Sequence, residues 1–167
     1  MSGLKFGTIE TGLGWVAVAI SPKGLRYVNL PVREREQALR VITEMGADEP
    51  AAEADLASVA AGVQAIIEGR PAPNGVTFDW SGITPFRRQV LEECARIPAG
   101  KTISYGELAE KVGKPRAARA VGRVMATNPW PLFFPCHRVV GSDGSLHGYG
   151  GGLPMKEALL RAEGARR

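Results

Sequence analysis

Two residues of this chain could do covalent chemistry together: Cys136 and His137, side by side in the apolar stretch Phe133-Phe134-Pro135-Cys136-His137-Arg138-Val139-Val140-Gly141. A thiol is inert until its proton is removed, because the thiolate is the nucleophile and an ordinary cysteine has a pKa of about 8.5. His137 is the obvious base. The stretch reads as a strand, and successive strand side chains point to opposite faces. The imidazole would therefore reach the sulfur only through a turn or a bridging water. A carboxylate on the far side of the ring would hold it in the proton-accepting tautomer. Glu157 and Glu163, both expected in the last helix, are the choices.

Other chemistries find little support. Cys94, Cys136, His137 and His147 are the only soft metal ligands in the chain, and their spacing fits no zinc pattern. Neither a metal nor a disulfide is expected. Cys94 falls on an apolar helical stripe and reads as a small buried hydrophobe. The glycine run Gly148-Tyr149-Gly150-Gly151-Gly152 lacks the GxGxxG register, and no Walker-type Lys-Ser/Thr follows it, so no nucleotide cofactor is expected.

Charge points to a partner. Residues 1–83 hold 7 Lys/Arg and 10 Asp/Glu, whereas residues 84–167 hold 14 and 7, so the net charge of +4 conceals an acidic half and a basic one. From Lys111 to Arg138 there are six basic side chains (Lys111, Lys114, Arg116, Arg119, Arg123, Arg138) and no acidic one. Such a run attracts a polyanion through counterion release. At 167 residues and 44% apolar composition the chain can build a core. No apolar run approaches the roughly 18 residues a bilayer span requires, and Met1 to Thr11 carries no secretory signal pattern. A cytoplasmic protein is expected.

The elements that must position Cys136 can be read along the chain. Lys5–Glu10, Trp15–Ile20 and Leu25–Leu30 are β-prone runs split by turn-forming segments, giving an antiparallel meander. Helices are expected over Glu34–Met45 and about Ala51–Glu68, and Pro71–Gly82 reads as a linker. Thr84-Pro85 opens a helix by the cap-then-proline rule, with Val90, Leu91, Cys94 and Ile97 as its buried stripe. Ser104 with Glu107 three residues on is a capping box. Gly113-Lys114-Pro115 turns the chain, and a second helix runs from about Arg116 to Ala126 before Asn128-Pro129 ends it. Helix, tight turn and helix make a helix-turn-helix whose second member is both basic and slim. The fold class is therefore α+β. A small N-terminal domain (1–80) has an antiparallel three-stranded sheet plus helices. A mainly helical C-terminal domain (81–167) contains a helix-turn-helix of winged-helix-like type.

The string Asn128-Pro129-Trp130-Pro131-Leu132-Phe133-Phe134-Pro135-Cys136-His137-Arg138-Val139, the glycine run after it and the segment Lys156 to Gly164 resemble the active-site region of the O6-alkylguanine-DNA alkyltransferases. The resemblance extends upstream through Thr84-Pro85-Phe86, Ser104-Tyr105-Gly106 and Ala117-Ala118-Arg119-Ala120-Val121-Gly122, and covers about half the chain. It implies a suicide enzyme of DNA repair without a cofactor. Cys136 would take the alkyl group from guanine O6, with His137 as base through a water and Glu163 orienting it. Asn128 matches the hinge asparagine, and Tyr105 the tyrosine that helps rotate the nucleotide out and protonates the departing guanine. Arg119 matches the arginine that fills the vacated stack. Arg116, Ala118, Ala120, Gly122, Arg123 and Lys114 would complete a sequence-nonspecific minor-groove surface for double-stranded DNA. Val139, Tyr149, Gly150 and Gly151 would line the base pocket.

Trp130, Phe133 and Phe134 are bulkier than the aliphatic residues common at those positions and read as core filling, and His147 reads as an exposed loop residue. Metal ligands found in the N-terminal half of some family members have no counterpart here. A monomer is expected, with cooperative binding along DNA left open. A non-catalytic lesion sensor is the rival reading, set aside on the cysteine at position 136. A Cys/His hydrolase would need an oxyanion hole that nothing in the sequence indicates.

Overall fold

The computed structural model describes residues 3–142 and 153–164. The chain divides into two compact units, Met1–Ser81 and Gly82–Arg167. In the first, β1 (Lys5–Thr11), β2 (Gly14–Ser21) and β3 (Gly24–Val28) form the antiparallel meander the alternating runs predict. The sheet has a fourth strand that the pattern does not announce. β4 (Glu49–Pro50), only two residues long and carrying a proline, pairs parallel to β1, giving the order β3-β2-β1-β4. Strand periodicity cannot register in two residues, so the three-stranded expectation is one strand short.

Both faces of this sheet are covered. Ala17 and Ala19 of β2 pack with Ala38 and Ile42 of α1 (Arg35–Glu44). Gly7 of β1 lies under Leu56 of α2 (Glu53–Ile67), where a Cβ would come within 2.6 Å of a Leu56 methyl. The stretch expected as a linker is partly fastened to this unit. Phe78 bridges to Leu25, and the Asp79 carboxylate, 5% exposed, accepts from the Ser21 hydroxyl at 2.6 Å and the Ser81 N–H at 3.0 Å. Those bonds hold it down to about pKa 2 against the opposing pull of burial.

The second unit is mainly helical. α3 (Pro85–Ala95) is capped by Thr84, whose hydroxyl accepts from the Arg87 N–H. It packs with α4 (Tyr105–Lys111) and α5 (Ala118–Ala126), which form the helix-turn-helix. α5 begins at Ala118 rather than Arg116, because Lys114 to Ala117 close a turn in which the Ala117 N–H donates to the Lys114 carbonyl. The apolar stretch around Cys136 is not a strand. Its prolines and turn geometry break the extended run, and Cys136–Arg138 form a single 3-10 turn followed by the two-residue β6 (Val139–Val140). β6 pairs parallel with β5 (Ile103–Ser104). α6 (Leu153–Ala162) closes the unit. Among the described residues no helix is long and apolar enough to cross a membrane.

Trp130 is fully buried, its ring 5.3 Å from that of buried Phe134. Both are core side chains, and Phe133 is half-buried. Replacing Trp130 by Ala should lower stability by about 3–5 kcal/mol through the cavity it leaves, read as a shift in the urea midpoint at constant slope.

Candidate active site

Cys136 is placed by restraints on either side of it. On the N-terminal side stands Asn128, buried just beyond the end of α5. Its side-chain amide donates to the Phe134 carbonyl at 2.8 Å and its Oδ1 accepts from the Trp130 N–H at 2.9 Å. One side chain thus closes the loop between α5 and the cysteine. The loop is strained: Leu132 has φ +84°, a left-handed conformation that costs a non-glycine residue about 1–3 kcal/mol. On the C-terminal side, Val139 and Val140 pair with Ile103 and Ser104. Ser104 also caps α4, its hydroxyl accepting from the Glu107 N–H at 3.0 Å while the Glu107 carboxylate accepts from the Ser104 N–H at 2.9 Å. Tyr105, the first helical residue of α4, is therefore fixed to the turn that carries Cys136. The two interact electrostatically, and burial followed by the Cys136 charge raises the Tyr105 pKa.

The 3-10 turn replaces the strand alternation expected for Cys136 and His137. It puts His137 wholly inside the protein at 0% exposure, and Cys136 at 4%. The His137 Nε2 lies 3.0 Å from Glu163 Oε2. Glu163 sits in the turn just past α6 rather than within the helix, and its side chain is 2% exposed. Glu157, the other candidate, is ion-paired with Arg161 on the surface. The Glu163 carboxylate has a second partner that the sequence reading missed: Arg138 donates to it through Nε at 3.0 Å and Nη2 at 2.5 Å, and through Nη1 to the Ile97 carbonyl at 2.7 Å. Burial alone would raise this carboxyl, but the hydrogen bonds and charges of His137 and Arg138 hold it down to about 2.

These protonation states assign the tautomer. Burial pushes His137 below the usual imidazole range; the hydrogen bond and charge of Glu163 pull the other way, and Arg138 and Lys156 add to the downward push. The ring is neutral at pH 7, and beside an ionised carboxylate Nε2 must carry the proton as donor. Nδ1 then holds a lone pair, and it is the one buried side-chain nitrogen or oxygen among the described residues that finds no protein partner. A neutral imidazole nitrogen of this kind has the lone pair needed to accept a proton.

Lys156 is the other residue that sequence reading passed over. It is fully buried, its ammonium donating to the Val139 carbonyl at 2.6 Å and lying 5.9 Å from the centre of the Tyr105 ring. Burial lowers it to about 8, while the Cys136 charge acts in the opposite sense. A signal was available: Lys156 shares the inward stripe of α6 with Leu159 and Leu160, three and four residues on. Cys94 is also buried, its thiol pushed far up by burial, which leaves it inert.

The basic surface is carried by α4 and α5. Arg119 and Arg123, one turn apart, are exposed on α5; Lys111, Lys114 and Arg116 are exposed on α4 and in the turn. The opposite side of α5 buries Val121, Val124 and Met125, while Ala118, Ala120 and Gly122 are half-buried between the two. A Cβ on Gly122 would meet open space, so this stretch of helix surface is flat. Tyr149, Gly150 and Gly151, expected in a base pocket, lie outside the described residues, as does His147. Among the described residues no cluster of three or more His, Cys, Asp and Glu could hold a metal.

Residues 85–165 match the family profile of the 6-O-methylguanine DNA methyltransferase DNA-binding domain. The methylated-DNA–protein-cysteine methyltransferase of Methanosarcina acetivorans is 34% identical over 165 residues, 97% of this chain and 99% of that one. That of Shigella flexneri is 50% identical over 84 residues, and the match spans 50% of this chain and about half, 49%, of that relative. The crystal structure of Mycobacterium tuberculosis OGT in complex with DNA superposes with a TM-score of 0.76 at 31% identity, covering 96% of this chain and 92% of that one.

The Glu163 network makes folding acid-sensitive. The Glu163 pKa is depressed in the folded state, so its contribution is present above the ordinary carboxylate range and is lost as pH falls from about 4.5 toward 2. His137 acts in the same direction, because below pH 6.5 the unfolded chain takes up a proton that the folded one resists. Urea midpoints should therefore fall steadily on acidification from pH 7 to 3. Glu163→Gln should be less stable at pH 7 and show a flatter profile below pH 4.5.

Proposed function

Since this chain belongs to the methylated-DNA–protein-cysteine methyltransferase family, we propose that it repairs DNA by moving the alkyl group of O6-alkylguanine onto its own Cys136. The observation that carries this reading is the neutral, buried His137, hydrogen-bonded through Nε2 to Glu163 and presenting a bare Nδ1, next in sequence to a cysteine on a tight turn. In the proposed step the Cys136 proton passes through a bridging water to Nδ1, and Glu163 stabilises the imidazolium that forms. The thiolate attacks the alkyl carbon, the S–C bond forms, and the C–O6 bond breaks with its electron pair going to guanine. Tyr105 protonates the leaving base and recovers its proton by way of His137 and solvent. The sum is thiol plus O6-alkylguanine giving thioether plus guanine. A thioether has no ready leaving group, so each molecule acts once and needs no cofactor.

The alkyl carbon is inaccessible inside a duplex, so the nucleotide must be extruded, at a cost of a few kcal/mol. Arg119, exposed on α5, would fill the vacancy. Arg116, Arg123 and Lys114 would bind phosphates regardless of sequence. The half-buried Ala118, Ala120 and Gly122 let the backbone of α5 lie close along a minor groove. The Val139 backbone forms one edge of the base pocket, with Asn128 the joint between α5 and the cysteine loop. A monomer is sufficient for all of these roles.

Incubated with a duplex bearing one O6-methylguanine, the intact protein should gain the mass of one methylene and stop at one equivalent, with peptide mapping placing it on Cys136. Tight binding without a mass change would identify a lesion sensor instead, and transfer by Cys136→Ala would overturn the nucleophile. Arg123→Ala should weaken duplex binding by a similar factor across sequences and reduce the slope of log affinity against log salt by about 1.

A further inference from the structure

Each helix of the helix-turn-helix ends on a carbonyl that α3 supplies with a donor. A helix leaves its last four carbonyls without partners of its own. At the end of α4 the Val112 carbonyl accepts from the Gln89 side-chain amide at 3.3 Å. At the end of α5 the Thr127 carbonyl accepts from Arg87 Nη2 at 3.1 Å, and the Thr127 hydroxyl lies 3.5 Å from the same nitrogen. The arginine is well rooted for this: it is half-buried in the first turn of α3, and its own N–H donates to the Thr84 hydroxyl. Its neighbour Arg88 pairs with Glu92 along the same helix, on the surface. Arg87 instead reaches the main chain of another helix.

The end of α5 has use for that donor. The Thr127 N–H and hydroxyl both go back to the Arg123 carbonyl, at 3.0 and 2.8 Å, and the Asn128 N–H goes to Met125 at 3.4 Å. Pro129 has no N–H to continue the ladder. A cation at a helix C-terminus is also favoured by the helix dipole. The residue after Thr127 is Asn128, whose side chain closes the loop to Cys136 through Phe134 and Trp130. The bond from Arg87 therefore falls where the basic helix turns into the cysteine loop.

We propose that Arg87 is a positioning residue of the transfer reaction, reaching from α3 to fasten the C-terminal end of α5 and so fixing where the Cys136 loop begins. The assignment rests on the proposed function for its consequence in alkyl transfer. A flipped nucleotide is located by α5 and attacked from the loop, so a loose joint between them misplaces the sulfur against the alkyl carbon.

The test compares the full-length wild type with Arg87→Ala and Arg87→Met, the second of which keeps the apolar stem and removes the donor. Amide hydrogen exchange without DNA reads the joint directly, through the Trp130 N–H that donates to Asn128. In both variants its protection should fall about tenfold, the equivalent of one hydrogen bond to a charged group, while Val90 and Leu91 within α3 keep theirs. A uniform fall across the unit would mark a general loss of stability and overturn the proposal. So would wild-type protection of Trp130 in Arg87→Met. On a saturating O6-methylguanine duplex, transfer to Cys136 should slow about tenfold, with affinity for an undamaged duplex within twofold and an unchanged salt slope. Weaker affinity and a shallower salt slope at an unchanged saturated rate would make Arg87 a phosphate contact instead, overturning the assignment. Absence of methyl transfer by the wild type would overturn the proposed function, and the exchange measurement is independent of that result.

Discussion

The Glu163 carboxylate is the point on which the site depends. Its side chain is almost wholly withdrawn from solvent, and it serves His137 and Arg138 at the same time. An uncompensated buried carboxylate would take up a proton, and then it could no longer fix the imidazole. Arg138 prevents this. Its paired donation keeps the carboxylate ionised, and its remaining amino group reaches the Ile97 carbonyl beyond the end of α3. The arginine next to the histidine thus helps the histidine itself to keep the carboxylate ionised, although it touches neither ring nitrogen.

Much of this was legible in the residues. The strands of the meander, the capping box at Ser104, the Pro85 helix start and the break at Asn128 follow from local chemistry that operates over three or four positions, and the structure places each within a residue or two. The cysteine–histidine pair and the exposed arginines of α5 were likewise visible as types and spacings. Long-range pairings were not. The two-residue strands β4, β5 and β6 are too short to carry a period, and each exists because a distant backbone offers it partners. The 3-10 turn at Cys136 was hidden for a related reason: an apolar run with aromatic neighbours looks extended until its prolines and the Asn128 amide bend it. The choice of Glu163 over Glu157 depended on which end of α6 meets the turn, and no local pattern encodes that.

The missed lysine illustrates a general asymmetry. Sequence reading treats a charge as a sign of solvent and an apolar stripe as a sign of burial, so a lysine inside a stripe is averaged away. Yet a conflict between local pattern and global placement is where function is expected to leave a mark. Lys156 and the orphaned nitrogen of His137 are two such conflicts, the first bonded to the residue just after the Cys136–Arg138 turn and the second within it. The basic face of α5 shows the opposite case, in which pattern and placement agree and the surface is simply what its composition suggests.

Leu132 gives the site a mechanical character. A branched residue in left-handed geometry would relax at once if its loop were free, so its persistence means that the Asn128 amide and the Trp130 packing hold the loop like a drawn spring. The sulfur is thus presented by a tensioned support. Whatever loosens the Asn128 clasp, from either the helix before it or the turn after it, removes a restraint from the loop that carries Cys136.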